Sequence, residues 1–201
     1  MTDPRPTSLA RDGTASVNRQ RWPLVLLPGI LGTRLQYANS NSHFWDPDSN
    51  LNLAGLATSR RETLRRRFDP TLTQLRVSDS PSANGFPRED YLSDAPSQRY
   101  IDRGWAGPAW GYYGAGLRAL ERHVAPVGGE VYAFGYDWRA SNQHNGPRLR
   151  SFIETMVRDR DGHRYKPIIV THSMGGLVTR SCISQGGAAS ISAVIHTFMP
   201  T

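Results

Sequence analysis

The chain has 201 residues, 24 Lys and Arg against 17 Asp and Glu for a net charge of +7, 38% hydrophobic residues and a single cysteine. That length is enough to bury a core, but one cysteine makes no intramolecular disulfide, which excludes a disulfide-stapled secreted module and a Cys-built zinc site. No apolar run approaches the roughly 18 residues of a membrane span; the longest, Leu24 to Leu27, stops at Pro28.

Residues 1–21 are polar, lack the apolar centre of a secretory signal peptide and read as a flexible N-terminal tail, which favours a cytoplasmic location. Trp22 to Leu27 followed by Pro28-Gly29 has the length and punctuation of a buried strand ending in a sharp turn. Residues 36–100 then turn rich in Asn, Ser, Asp, Pro and Arg with no sustained period of 2 or 3.6, and read as an irregular, lid-like insertion. Within it Arg60-Arg61-Glu62-Thr63-Leu64-Arg65-Arg66-Arg67 is the densest positive charge. It could touch phosphates of nucleic acid or lipid head groups, but 23 of the 24 basic residues are Arg, a bias that a solvated surface helix or loop explains as well. No zinc-finger pattern accompanies it, and nucleic acid is not an expected partner.

Gly104 to Gly116 holds five glycines, two tryptophans and two tyrosines and runs into Leu117, Leu120 and Val124 at helical spacing, a loop feeding a helix. Glu130 to Phe134 is a second strand. Pro147 to Arg158 puts Leu149, Phe152, Ile153, Met156 and Val157 on one face, an amphipathic helix with Pro near its first turn. Ile168 to Val170 is a third strand, Leu177 to Cys182 a helix closed by Gly186-Gly187, and Ile191 to Ile195 a fourth strand. Strands alternating with helices imply an α/β fold, a mostly parallel sheet with helices on both faces.

The stretch Ile168 to Leu177 carries the chemistry. A serine between a buried strand and a helix is a nucleophile elbow, where the residues two before and two after the serine crowd together. Gly175 meets that need and Gly176 extends it, whereas Thr171 puts a branched side chain where glycine is usual. Ser173 would be the nucleophile, since a tight turn lifts its hydroxyl toward a base. The same turn aims the Met174 N–H at the oxygen that becomes negative in a tetrahedral intermediate. A second donor must come from the loop after an earlier strand, and the Ile30 N–H in Pro28-Gly29-Ile30-Leu31-Gly32 stands there.

Pro23 to Leu35, the aromatic loop from Gly104 to Tyr113, Tyr136-Asp137-Trp138-Arg139, and Lys166 to Gly176 together resemble the lecithin:cholesterol acyltransferase family of α/β-hydrolases in order and spacing. The resemblance covers about residues 22–199 and implies an α/β-hydrolase fold, an acyl-enzyme on Ser173 with Ile30 and Met174 as oxyanion donors, an acyl ester or lipid substrate, and peripheral membrane contact through the 36–100 insertion. It implies no cofactor or metal. Asp137 and Arg139 are expected to fix their loop by hydrogen bonds rather than to react.

In that fold a carboxylate and then a histidine follow the serine in the chain. From Met174 to Thr201 there is no Asp or Glu, and the one histidine is His196. His172 adjoins the serine but is expected to point elsewhere as a packing residue. A pair such as Asp102 or Asp137 with His144 would be a novel arrangement. The expectation is therefore an α/β-hydrolase domain over residues 22–201 that is partial, truncated after its fourth readable strand, with the triad Asp and His outside these residues. The alternative is a catalytically inactive remnant that binds a lipid or partner. Oligomeric state is left open.

Overall fold

A computed structural model describes residues 22–83, 85–89, 95–158 and 162–200; the expected tail at 1–21 lies outside these. In chain order the elements are β1 (Leu24–Leu27), β2 (Leu35–Tyr37), β3 (His43–Trp45), α1 (Asn50–Ala57), α2 (Arg61–Phe68), β4 (Leu75–Val77), α3 (Gln98–Asp102), α4 (Trp110–Val124), β5 (Val131–Ala133), α5 (Asn142–Met156), β6 (Ile168–His172), α6 (Gly175–Ser184) and β7 (Ala193–Thr197).

Four strands form one parallel sheet in the order β5-β1-β6-β7. β1 is buried along its whole length, as a strand covered on both faces must be. Its alternate side chains divide between two clusters. Val25 and Leu27 pack with Ile169, Leu149, Ile153 and Val178, the side of α5 and α6, while Leu24 and Leu26 pack with Trp105, Trp110 and Leu117, the side of α4. Helices on both faces of a parallel sheet are the α/β architecture read from the sequence. β7 pairs only with β6 and forms an edge.

Two expectations are corrected in detail. The first concerns α5, which begins at Asn142 rather than near Pro147, because Ser141 caps it by accepting the His144 N–H. Pro147 then sits inside the helix and donates no N–H to the carbonyl four residues earlier. That carbonyl, on Gln143, instead accepts from Gln185 Nε2 at 3.2 Å.

The second concerns residues 36–100, whose described part is not irregular throughout: β3, β2 and β4 form a separate antiparallel sheet, joined by α1 and α2 and followed by α3, while no element falls between Val77 and Gln98 among the described residues. The strands have three residues each, too short to display a period of two. α1 and α2 bury no residue, so they show no apolar stripe. The arginine-rich stretch is α2, a solvated helix.

Candidate active site

The elbow is formed by the change from β6 to α6. Ser173 adopts φ 49°, a left-handed conformation that costs a non-glycine residue on the order of 1–3 kcal/mol and persists where surrounding packing enforces it. Its own N–H is bonded to Thr197 O at 2.9 Å, and its carbonyl accepts from Gly176 N at 3.0 Å. Gly175 is where the helix meets β1: a Cβ there would lie 2.8 Å from Pro28 O and 2.9 Å from Leu27 Cβ. One on Gly176 would strike the Met199 side chain and come within 3.0 Å of His196 Nδ1. Gly175 is required by close approach to backbone, whereas at Gly176 the flexible Met199 side chain would have to shift.

Thr171, the departure from the usual glycine, is accommodated. It is buried, and its Oγ1 is hydrogen-bonded to His196 Nδ1 at 2.8 Å, while Thr197 Oγ1 donates to the Thr171 carbonyl at 2.7 Å. A threonine fits because β7 offers its hydroxyl a partner. His196 is thereby engaged with Thr171.

The loop after β1 lies against the elbow. A Cβ on Gly29 would be 3.0 Å from Ser173 Cβ and 3.0 Å from His172 Nδ1. Gly29 O accepts from Gly32 N at 3.1 Å, and Leu31 takes φ 61°, the left-handed third position of a type II turn. Two side chains brace this turn. Trp45 Nε1 donates to Leu31 O at 2.8 Å, and Gly29 N donates to Tyr113 Oη at 2.9 Å. Among the described residues the backbone N–H groups of Ile30 and Met174 have no protein partner.

His172 departs from expectation. It is exposed, not packed away; its Nδ1 lies 2.8 Å from Tyr113 Oη, and its ring meets those of Tyr113 and Phe198 edge-on. Together with Ile30, Leu31, Trp45, Tyr112 and Tyr113 it lines a cleft of about 580 Å³. Burial raises the Tyr113 hydroxyl above the ordinary phenol range, with the Gly29 N–H acting the other way, so the group stays a neutral phenol at physiological pH. A larger cleft of about 690 Å³ lies between residues 85–89 and α4, lined by Arg118, Glu121 and Arg122 among others. It holds no part of the turn, whereas the smaller cleft is lined by the turn and by His172, the residue before Ser173, and is the candidate site.

Tyr136-Asp137-Trp138-Arg139 makes the hydrogen bonds anticipated for it. Arg139 grips Asp137 through Nε at 2.9 Å and Nη2 at 2.7 Å and reaches the carbonyls of Arg67 and Thr73. Tyr136 Oη donates to Pro28 O at 2.8 Å and Trp138 Nε1 to Thr33 O at 3.2 Å, tying the loop after β5 to the loop after β1. Burial raises the Tyr136 hydroxyl far above its ordinary range, and Tyr113 nearby adds to this, so it remains a donor. Asp102 accepts from Gln98, and neither it nor Asp137 pairs with His144. Among the described residues no histidine is hydrogen-bonded to the Ser173 hydroxyl, no group of side chains could hold a metal ion, and no helix is long and apolar enough to cross a membrane.

The sequence anticipated the strand-to-helix turn at Ser173 and the turn after β1 but gave no sign that Tyr113, His172 and Trp45 would lie together beside them. Tyr113 and Trp45 reach the turn from 84 and 14 residues away, and nothing local in the sequence marks those contacts.

A search of curated proteins finds no match to the chain. A solved structure, that of a Tle4–Tli4 complex, contains a chain of the same fold, with TM-score 0.71 and 21% identity over 89% of this chain and 46% of that one. This chain thus spans about half the length of the structure it matches. The lecithin:cholesterol acyltransferase family profile matches residues 97–200, just over half of the sequence and including α4, the Tyr136 to Arg139 loop and the elbow; the chain belongs to the lecithin:cholesterol acyltransferase family.

Proposed function

We propose that Ser173 is the nucleophile of an acyl-transfer or ester-hydrolysis reaction and that the Ile30 and Met174 N–H groups form its oxyanion hole. The observation that carries this reading is the left-handed Ser173 at a strand-to-helix turn, pressed against Gly29 and flanked by two unpartnered backbone donors. The Ser173 oxygen attacks the acyl carbonyl as a base removes the hydroxyl proton, and the carbonyl oxygen takes up the negative charge. The alcohol then leaves with a proton, and the acyl-serine passes its acyl group to a second alcohol or to water. Two preorganised N–H groups favour the charged intermediate over the neutral ester, where one donor contributes about 3–4 kcal/mol to the barrier.

The proposal keeps the activating carboxylate and histidine outside these 201 residues. Residues 174–201 hold no Asp or Glu, and His172 and His196 are engaged through Nδ1 with Tyr113 and Thr171. The substrate is an acyl ester or lipid. Contact with a lipid surface would fall to the insertion, where α1 exposes Leu51 at 88% beside the cationic α2.

A fluorophosphonate probe followed by peptide mapping tests the reading. With added imidazole standing in for the missing base, it should label Ser173 in preference to every other serine, and Ser173→Ala should remove the label, while without imidazole both labelling and turnover of a short-chain p-nitrophenyl ester by these 201 residues stay at the Ser173→Ala level. Fast Ser173-dependent turnover would overturn the placement of the base. Labelling no faster than at surface serines would overturn the nucleophile and favour the second reading, an inactive binding remnant.

A further inference from the structure

The Tyr113 hydroxyl has one proton and two lone pairs, and its partners fix how they are used. Gly29 N–H donates to it at 2.9 Å, which occupies one lone pair. The other neighbour within hydrogen-bond reach is His172 Nδ1 at 2.8 Å. If Nδ1 carried the proton, the phenol would accept twice and its own hydrogen would have no protein acceptor among the described residues. If Nδ1 is bare, Gly29 donates to the phenol, the phenol donates to His172, and all three groups are satisfied. In neutral imidazole the proton then resides on Nε2. That Nε2 has no protein partner among the described residues, and the exposed ring of His172, the residue before Ser173, lines the cleft.

We propose that Tyr113 is a positioning residue that holds His172 in the Nε2–H form, and that this N–H is a fixed donor selecting esters whose alcohol portion carries a further acceptor oxygen. The assignment to the alcohol portion follows from what an ester offers. Its carbonyl oxygen is claimed by the Ile30 and Met174 N–H groups, and a saturated acyl chain carries no acceptor. The remaining walls suit such a chain, since Ile30, Leu31 and Tyr112 expose apolar surface there. The bridging ester oxygen is a poor acceptor because its lone pair is delocalised into the carbonyl, so a further oxygen on the alcohol side is the good acceptor left for His172. The same phenol occupies the Gly29 N–H, so Tyr113 also sets which amides of the turn stay free.

The inference rests on the Ser173 reading in taking this cleft as the ester site. Two neutral, unreactive amides of the same shape test it: N-(2-methoxyethyl)octanamide and N-butyloctanamide, which differ by one oxygen in place of a methylene. Wild type should prefer the methoxy compound, and His172→Phe, with Tyr113 intact, should cut that preference about 3- to 10-fold, the worth of one hydrogen bond. Tyr113→Phe should cut it by the smaller factor set by the share of rings that lose the Nε2–H, about 2-fold for an even tautomer mixture. Imidazole ¹⁵N spectra should show His172 in the Nε2–H form in wild type and as a tautomer mixture in Tyr113→Phe, which a merely structural tyrosine would not produce.

An equal preference in wild type and Tyr113→Phe, an Nδ1–H tautomer in wild type, or binding of neither amide would overturn the proposal. Retained preference without fluorophosphonate labelling would sink the Ser173 reading alone. Labelling without preference would sink this one alone.

Discussion

In the parallel sheet Val25, Leu27, Val131 and Ile169 are wholly buried, whereas α1 and α2 of the insertion bury no residue at all. The sheet is held by apolar area removed from water on both faces, at about 25 cal/mol per Å². Residues 36–100 join the sheet's core through Phe44, with Tyr37, Trp45, Leu75 and Val77 against it, and are also pinned at their base by a few polar groups. Arg34 binds Asp46 through Nε and Nη2, both at 2.9 Å, and reaches the carbonyls of Ser80 and Ala106. Asp48 accepts from the first N–H groups of α4, Trp110 at 2.7 Å and Gly111 at 2.8 Å, and so caps a helix more than 60 residues away. Phe44 sits under this scaffold against Tyr37 and Phe68. The two regions meet at the turn after β1, where Trp45 from β3 holds Leu31 and Tyr113 from α4 holds Gly29.

If the insertion depends on its pins, Arg34→Met should cost about 3–5 kcal/mol in urea unfolding, because it strands a buried carboxylate. Burial pushes the Asp46 carboxyl up, but the hydrogen bonds and charge of Arg34 outweigh it, and the group titrates below its ordinary value. A depressed carboxylate contributes stability above its unfolded pKa, near 4, and loses it as the pH falls through the folded one. Wild type should therefore lose stability below about pH 4, and Arg34→Met should lose less there; identical acid profiles would count against the pin.

In the sheet half, Gly175→Ala should cost up to about 3 kcal/mol, because the added methyl meets the backbone of β1 rather than a movable side chain. A melting temperature equal to wild type would mean the elbow is looser than described. Asp48→Ala should cost about 1–2 kcal/mol, the loss of a helix cap, with hydrogen exchange rising at the start of α4. Leu51→Ser should change stability by no more than about 0.5 kcal/mol. If it cost as much as Arg34→Met, the contrast between a pinned insertion and a packed sheet would fail.

The parallel sheet was legible because its strands are apolar runs closed by Pro-Gly or Thr-His-Ser, and burial on both faces writes itself into composition. Ser173, Gly175 and the turn after β1 were legible for a related reason: the constraint on them is local backbone geometry. The order within residues 36–100 was hidden, since three-residue strands have no readable period and α1 and α2 have no buried face. His172 was misread for a different cause. Its neighbours in sequence suggest packing, while its orientation is set by Tyr113, 59 residues away. Contacts of that range leave no periodicity to read.

The central claim, that the turn after β1 supplies an oxyanion donor to Ser173, is tested most directly by Ile30→Pro. Position 30 is the second residue of the type II turn, where proline is favoured, so the substitution removes the N–H and leaves the turn. Fluorophosphonate labelling of Ser173, with added imidazole standing in for the base, should slow on the order of 100-fold with the melting temperature within a few degrees of wild type. Labelling at the wild-type rate in that variant would contradict the account.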